Sequence, residues 1–390
     1  MRTSIDGNSG GDPFWIRAFG VSVSVSGVVT WPSPVRRLRD RRKRRRRERT
    51  KNDICEALDN AWRNSGSLDF ALEKDRLIIL SDQHKGARDG ADDFQRCERS
   101  YNAALTYYND LKYHLVLLGD VEELWENTFE EVATCYEATL KLEAAFHNPD
   151  RRYTRLWGNH DLAWSDCNLF DDRMSKYGVG DVKPIEALRL VLRNPDGNVA
   201  GELFLVHGHQ GTESSDKYRV PSQLLVRHGW RRLQRLLNRP WNTPAVDWAL
   251  RGEHAEDMAA WAAHNRRALI VGHTHLPVFP NTQKEPAITP EQVVEPEDEA
   301  DPVRREALRQ ARLRWAEAEQ ERLSRQEPPN SSPWYFNTGC CSFGDGDITG
   351  IELSEGKIKL IRWPCEPGTR PLGLGEPYDL ESVVAGAAGA

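Results

Sequence analysis

No stretch of the chain approaches the roughly 20 consecutive apolar residues that a membrane-spanning helix needs. An integral membrane protein of that kind is therefore not expected. The 390 residues hold only 7 cysteines, and none forms a CxxC pair. So sparse and scattered a set excludes a disulfide scaffold and a cysteine-ligated zinc site. It suits a reducing compartment, and a cytoplasmic location is expected. The apolar patch from Phe14 to Trp31 lacks the marks of an export signal. Val alternates with Ser, Arg17 interrupts its start, and no A-x-A site follows. There is no internal repeat. Aromatic residues are not scarce: 13 Trp, 10 Tyr and 11 Phe, within 39% apolar residues, can bury a sizeable core. That excludes wholesale disorder, and the length predicts one large domain or two small ones.

The net charge of −6 conceals a division, because residues 36–51 (RRLRDRRKRRRRERTK) carry 12 basic and two acidic side chains, a local +10 that leaves −16 on the rest. An acidic body does not draw nucleic acid or an anionic membrane by its overall field. Any such attraction must come from this arm or from bound cations. Residues 1–52 are expected as a leader without fixed structure, ending in the arginine-rich arm. The ordered body is expected to begin near Asp53.

Short apolar runs predict buried strands at 75–80, 114–118, 153–157, 202–206 and 268–271. Helical patterns at 91–112, 122–147, 221–238 and 244–265 alternate with them, which argues for an α/β architecture. Residues 281–333 break the pattern with prolines and dense charge. They predict an insertion containing a surface helix from Asp301-Pro302 to about Arg325, with Leu308, Ala311 and Trp315 at helical spacing. The strand pattern resumes at 334–337. A hairpin is expected across Ser354-Glu355-Gly356, and the Gly/Ala-rich tail 364–390 is expected to fray.

Five motifs follow predicted strands: Asp82-Gln83-His84, Gly119-Asp120-Val121-Glu122-Glu123, Gly158-Asn159-His160-Asp161, His207-Gly208-His209 and Gly272-His273-Thr274-His275. Ligands of open α/β sheets bind outside the carboxyl ends of the strands, so all five are expected at one edge. Carboxylates and imidazoles suit divalent ions such as Mn, Fe and Zn. Two carboxylates, one Asn and four imidazoles suffice for two ions that share a bridging group. Alternation along an extended segment predicts that Asp82 and His84 face one way, and likewise His273 and His275. Each motif alone is weak, since any of these histidines suits a structural role. Their joint order is the signal.

That order, DxH…GDxxE…GNHD…HGH…GHTH, resembles the calcineurin-like metallophosphoesterases over roughly residues 75–363, apart from 281–333. The resemblance implies a four-layer α/β/β/α sandwich with two divalent metals at the sheet edges, Mn first among the candidates and Fe, Zn, Mg or Ni also suitable. By the family pattern, Asp82, His84 and His275 match the ligands of one metal. Asn159, His207 and His273 match those of the other, and Asp120 matches the bridging carboxylate. His160 matches the histidine that protonates the leaving oxygen. Tyr335-Phe336-Asn337-Thr338-Gly339 looks like the late strand that closes these domains. Asp120-Val121-Glu122-Glu123-Leu124-Trp125 and the SDQHKG opening are similar to UDP-2,3-diacylglucosamine hydrolases. In that comparison residues of about 217–265 occupy the place of a helical lid. Those hydrolases usually carry Arg where this chain has His160, and the departure favours the general phosphoesterase pattern.

Around this set, Asp161 is expected to share in catalysis by orienting His160 or by holding the turn. His209 and Arg88 are candidate substrate contacts, with an outer-layer histidine and a surface arginine as their plainer readings. Glu122 and Glu123 are expected to cap the following helix. Cys340-Cys341 are read as small buried residues, and the Trp and Leu residues of 224–250 as helix packing or an acyl pocket. The implied activity is hydrolysis of a phosphodiester or pyrophosphate bond in a nucleotide or nucleotide-lipid. A nuclease of the same fold is the alternative, with residues 36–51 binding nucleic acid or an anionic membrane surface. A non-enzymatic scaffold is disfavoured because every ligand position is filled.

Overall fold

The computed structural model describes residues 22–23, 29–30, 34–211, 248–275, 277–279, 334–365, 368, 370–374 and 376–389. The chain divides into two compact units, Met1–Asn52 and Asp53–Ala390. In the smaller unit, β1 (Ser22–Val23) and β2 (Val29–Thr30) pair antiparallel. Helix α1 spans Pro34–Arg63, so the arginine-rich run is helical rather than without structure. Pro34 suits the first helical position, and Arg, Lys and Glu are good helix formers. Ile54, Leu58 and Ala61, near the helix end, are buried in the core of the larger unit. A helix nucleated there extends at little cost per residue.

The larger unit is a mixed α/β structure with two mixed sheets. The five-stranded sheet has the order β10-β9-β8-β7-β3: β3 is Gly66–Ala71, β7 Ala187–Arg193, β8 Val199–Val206, β9 Ala268–Val271 and β10 Tyr335–Asn337. The seven-stranded sheet has the order β13-β12-β11-β4-β5-β6, with β14 paired to β12. Here β4 is Leu77–Leu80, β5 His114–Leu118, β6 Tyr153–Leu156, β11 Ile348–Ser354, β12 Lys357–Trp363, β13 Leu372–Gly373 and β14 Tyr378–Asp379. Strands β4, β5 and β6 run parallel, as do β8, β9 and β10. Their carboxyl ends therefore gather the motifs. The expected β11–β12 hairpin is present, and Glu355 and Gly356 turn it at φ 55° and 69°.

Alternation sorts the side chains into three cores. Ile78, Leu80, Leu115 and Leu117 join residues of α2 (Phe94–Asp110), α3 (Phe129–Ala144) and α4 (Cys167–Met174) in one. Leu77, Ile79, Val116 and Leu118 meet Leu188, Leu190, Leu203 and Ile270 of the other sheet in the second. Phe204, Val206, Leu269 and Val271 pack with Ile54 and Leu58 of α1 and Met258 and Trp261 of α5 (Trp248–Asn265) in the third. Strands buried on both faces read as continuous apolar runs, which is why β4, β5 and β9 were visible in the sequence.

Several elements differ from expectation. Strands β3 and β7 were not foreseen, although β7, ALRLVLR, alternates as a strand facing a core on one side should. Helix α3 starts at Phe129, not near residue 122, because Thr128 and Glu131 form a reciprocal capping box. The described residues of the tail take up regular structure instead of fraying. They form β13, β14 and α6 (Leu380–Gly389), whose Leu380, Val383 and Val384 are buried in the core between the sheets. Of the residues expected as a lid, about 217–265, only those from Trp248 onward are described. Residues 217–247, with the helix expected at 221–238, lie outside the described residues, as does the insertion 281–333.

Candidate metal centre

Asp82 and His84 follow β4, Asp120 follows β5, and Asn159 and His160 follow β6; His207 follows β8, and His273 and His275 follow β9. Both sheets thus supply side chains to one place. Three groups have donor atoms mutually close enough to hold a metal ion: Asp82 with His84 and His275, Asp120 with His207 and His273, and, between them, His84 with Asp120 and His160. His275 Nε2 lies 3.2 Å from Asp82 Oδ1 and 3.3 Å from His84 Nε2. His207 Nε2 lies 3.0 Å from Asp120 Oδ2, and His84 Nε2 lies 3.8 Å from both Asp82 Oδ1 and Asp120 Oδ2. Asp120 and His84 therefore connect the two outer groups.

The backbone reaches this arrangement by an unexpected route. Asp82, His84, Asp120, His273 and His275 all have left-handed φ, between 50° and 64°. The simple alternation of an extended segment, expected for Asp82/His84 and His273/His275, is not what pairs them. Non-glycine residues in this region cluster where surrounding structure over-determines them, commonly at functional sites. Two glycines are needed for close approach. A Cβ on Gly158 would sit 2.7 Å from the His207 ring and closer still to Asp120, and one on Gly272 would sit 2.5 Å from Asp82 Oδ2.

Hydrogen bonds orient the donors. The Asp82 carboxylate accepts from the Ser81 hydroxyl and from the His273 backbone N–H at 3.0 Å. Asp120 Oδ1 accepts from the His160 N–H at 2.8 Å. His207 Nδ1 donates to the Leu118 carbonyl at 2.8 Å, which leaves Nε2 as the donor for an ion. Asn337 donates to the Gly272 carbonyl at 2.8 Å and to Thr274 Oγ1 at 3.0 Å, bracing the turn that carries His273 and His275.

Glu123 is the functional residue that the sequence reading missed. Its Oε2 lies 3.1 Å from His84 Nδ1 and 2.6 Å from His160 Nδ1, so it faces inward rather than capping α3. A carboxylate behind a ligating imidazole fixes its tautomer and raises its basicity. The indole of Trp125 stacks on the His160 ring, with centroids 3.9 Å apart and planes 22° apart. His254 of α5 was also unforeseen. Its Nε2 bonds the Gly208 carbonyl at 2.6 Å, and its ring centroid is 5.7 Å from that of His273.

Other expected residues take different places. Of the two roles expected of Asp161, it holds the turn and does not orient His160. Fully buried, it accepts from the backbone N–H groups of Asp120 (3.2 Å), Val121 (3.0 Å) and Gly158 (2.6 Å) and pairs with Arg155 at 2.8 Å. It ties the β5 and β6 loops together. Glu122 points into the same buried network, against Arg155, Lys85 at 3.2 Å and the Trp164 indole N–H at 2.8 Å. Arg88 is engaged by Glu98 at 2.6 Å and lies over the Tyr136 ring at 4.5 Å, and among the described residues none of its contacts is with the seven candidate ligands. His209 is buried beside His207 and Trp157, their ring centroids 5.5 and 5.6 Å away, and belongs to none of the three groups.

The electrostatics follow from packing acids and imidazoles together. Burial alone would raise the Asp82 pKa, but His275 and His207 overcome it and hold the carboxyl well below its ordinary range. His207 and His160 do the same for Asp120. Against burial, Asp120 and Asp82 raise His207 to about 9. At His209 burial, reinforced by His207, outweighs the pull of Asp120 and pushes the pKa down to about 3.

This donor set fits divalent cations. Carboxylate, imidazole and amide oxygen are all present. Buried Asn159 Oδ1 has no hydrogen-bond partner among the described residues. Buried polar groups are normally satisfied, and an ion would satisfy it. No helix among the described residues is long and apolar enough to cross a membrane. No protein-family model and no curated protein matches this chain.

Proposed function

We propose that the protein is a phosphoesterase dependent on two divalent metal ions, and that it hydrolyses a phosphodiester or pyrophosphate bond in a nucleotide or nucleotide-lipid. One observation carries the reading: two acid–imidazole groups, drawn from the carboxyl ends of both sheets, meet through Asp120 and His84, and His160 adjoins them. The three apolar cores, one on each outer sheet face and one between the sheets, support the four-layer sandwich of the calcineurin-like metallophosphoesterases.

Asp82, His84 and His275 would hold one ion and Asn159, His207 and His273 the other, with Asp120 serving both. When bound, such a pair polarises phosphoryl oxygens and lowers the pKa of water towards neutrality. The chain's own residues do the rest. Glu123 takes the Nδ1 side of His84 and His160, so each ring turns Nε2 towards the substrate edge. Burial lowers the His160 pKa, but Glu123 and Asp120 raise it above its ordinary value. The ring therefore carries the proton that a leaving oxygen must receive. Trp125 stacks against it and limits its rotation.

Turnover of bis-p-nitrophenyl phosphate, p-nitrophenyl phosphate, nucleotide diphospho-sugars and single-stranded DNA, each with Mn, Mg and Zn, tests the reading. Asp120→Asn is expected to lose metal and essentially all turnover while circular dichroism stays native. Two ions per chain with undiminished turnover in that variant would overturn the assignment. A nuclease reading is favoured only by the arginine-rich run of α1. It requires a steep fall in DNA affinity with salt, set by the number of phosphates neutralised.

A further inference from the structure

At the edge opposite the motifs, where β4, β5 and β6 begin, a cleft of about 400 Å³ opens between β3 of one sheet and β4 and β5 of the other. Its inner wall is apolar, built from Leu68, Phe70, Leu77 and Leu111. Leu111 is among the few large apolar side chains left exposed, at 38%. The rim is cationic, with Lys74, Arg76, Lys112 and Arg152. The parallel ladder explains their convergence: the His114 N–H bonds the Arg76 carbonyl at 2.8 Å, and the Leu115 N–H bonds that of Arg152 at 2.9 Å. Arg76 and Arg152 therefore flank the start of the same strand.

The neighbouring acids neutralise only part of this rim. Asp150 takes up Lys112 and Arg152, 3.3 Å from each, and the Arg152 guanidinium also donates to the Tyr113 carbonyl and to Asn109 Oδ1. Of the two acids that line the cleft, Asp69 is paired with Arg193 at 2.8 Å, and Asp75 accepts from the Ala71 N–H at 2.7 Å. Among the described residues, neither Lys74 nor Arg76 has an ion-pair partner. Arg76 lies 5.9 Å over the Tyr113 ring. His114, on the cleft wall, adds no charge near neutral pH. Burial, helped by Arg152, pushes it down to about 4. Lys74 and Arg76 thus converge without an ion-pair partner on one concavity of a chain that is acidic outside residues 36–51, and a concave low-dielectric wall concentrates their field.

We propose that this cleft is a second binding site, for a small molecule that joins a phosphate-type dianion to an apolar ring or chain. The anion would sit on the rim formed by Lys74 and Arg76, and the apolar part against Leu68 and Leu111. The volume lies within the range of ligand pockets, and an apolar wall with a few convergent charged groups is their usual make-up. Guanidinium groups suit the planar, two-point recognition of phosphate oxygens. The site stands apart from the metal centre and does not depend on what is hydrolysed there.

Phenylphosphonate is a suitable probe, since its C–P bond is not a phosphoester. Binding is measured by equilibrium dialysis on the full-length protein, on Lys74→Glu/Arg76→Glu and on Asp120→Asn, with circular dichroism for each. Both rim side chains are exposed, so the double variant should fold and keep its turnover. Saturable binding is expected in the full-length protein, at least about tenfold weaker in the double variant through loss of two charge-assisted contacts, and unchanged in Asp120→Asn. Methylphosphonate, which lacks the ring, is expected to bind about tenfold more weakly than phenylphosphonate. No saturable binding, undiminished binding in the double variant, or loss in Asp120→Asn would each overturn the proposal.

Discussion

Glu123 Oε2 faces two imidazoles, and only one of them, His84, is a candidate ligand. Its two roles can be separated by mutation. Glu123→Ala should weaken metal binding about 10- to 100-fold, the usual effect of losing an outer-shell partner, and should also lower turnover by releasing His160. His160→Ala should keep both ions yet lose roughly 10²–10⁴ in turnover on esters with poor leaving groups, the range for a general acid. The loss on p-nitrophenyl esters should be smaller, because that leaving group needs less protonation. Metal analysis beside the two turnover series decides the matter, and equal metal loss in both variants would remove the distinction. His114 offers a pH test far from these ligands. Its folded pKa of about 4 lies below the ordinary 6.5, so the unfolded chain takes up the proton first as pH falls. Stability from this group is complete above pH 6.5 and is lost between about 6.5 and 4, at most about 3 kcal/mol. His114→Gln should flatten that part of the stability curve. Denaturant midpoints at pH 7 and pH 4.5 that fall equally in both proteins would show another group to be responsible.

Helix α6 illustrates what composition conceals. A Gly/Ala-rich tail reads as frayed, yet Leu380, Val383 and Val384 recur at helical spacing and enter the core between the sheets. A Cβ on Gly201 of β8 would stand 2.5 Å from Val384, so the helix lies tightly on that strand. Leu380→Ala should cost about 2–5 kcal/mol, as for other buried leucines, and denaturant melts would show it. A change within error would mean that α6 contributes little to the fold. Strands β4, β5 and β9 were legible because burial on both faces writes an unbroken apolar run. The seven candidate ligands were legible because each stands within a few residues of a predicted strand. Glu123 was not, because an acid after a strand suits a helix start equally well, and only the Thr128–Glu131 box shows that the helix begins later. The buried network of Lys85, Glu122, Glu143, Arg155 and Asp161 was equally hidden. Charged residues are ordinarily assigned to the surface unless their partners are known.

The whole molecule is electrically divided, with +10 on residues 36–51 and −16 elsewhere. Deleting residues 1–51 should leave small-diester turnover essentially unchanged, because no candidate ligand is removed. The same deletion should weaken binding to anionic vesicles or single-stranded DNA at low salt, with the difference shrinking as salt screens the charges. Pull-downs at two salt concentrations compare the two directly, and identical binding would make the arm a mere solvated extension. The metal centre has a consequence of another kind. His84 and His275 are 191 residues apart in the chain, and an ion gripping both would close a loop of that size. Such a closure restricts the unfolded ensemble much as a covalent cross-link does. An ion there would thus be a clasp as well as a reagent, and the supply of metal would govern how long each molecule survives as well as how fast it works. A nascent chain that has not yet reached Gly272 lacks His273 and His275, one donor of each outer group. Completion of both groups would then wait until synthesis has passed the ninth strand.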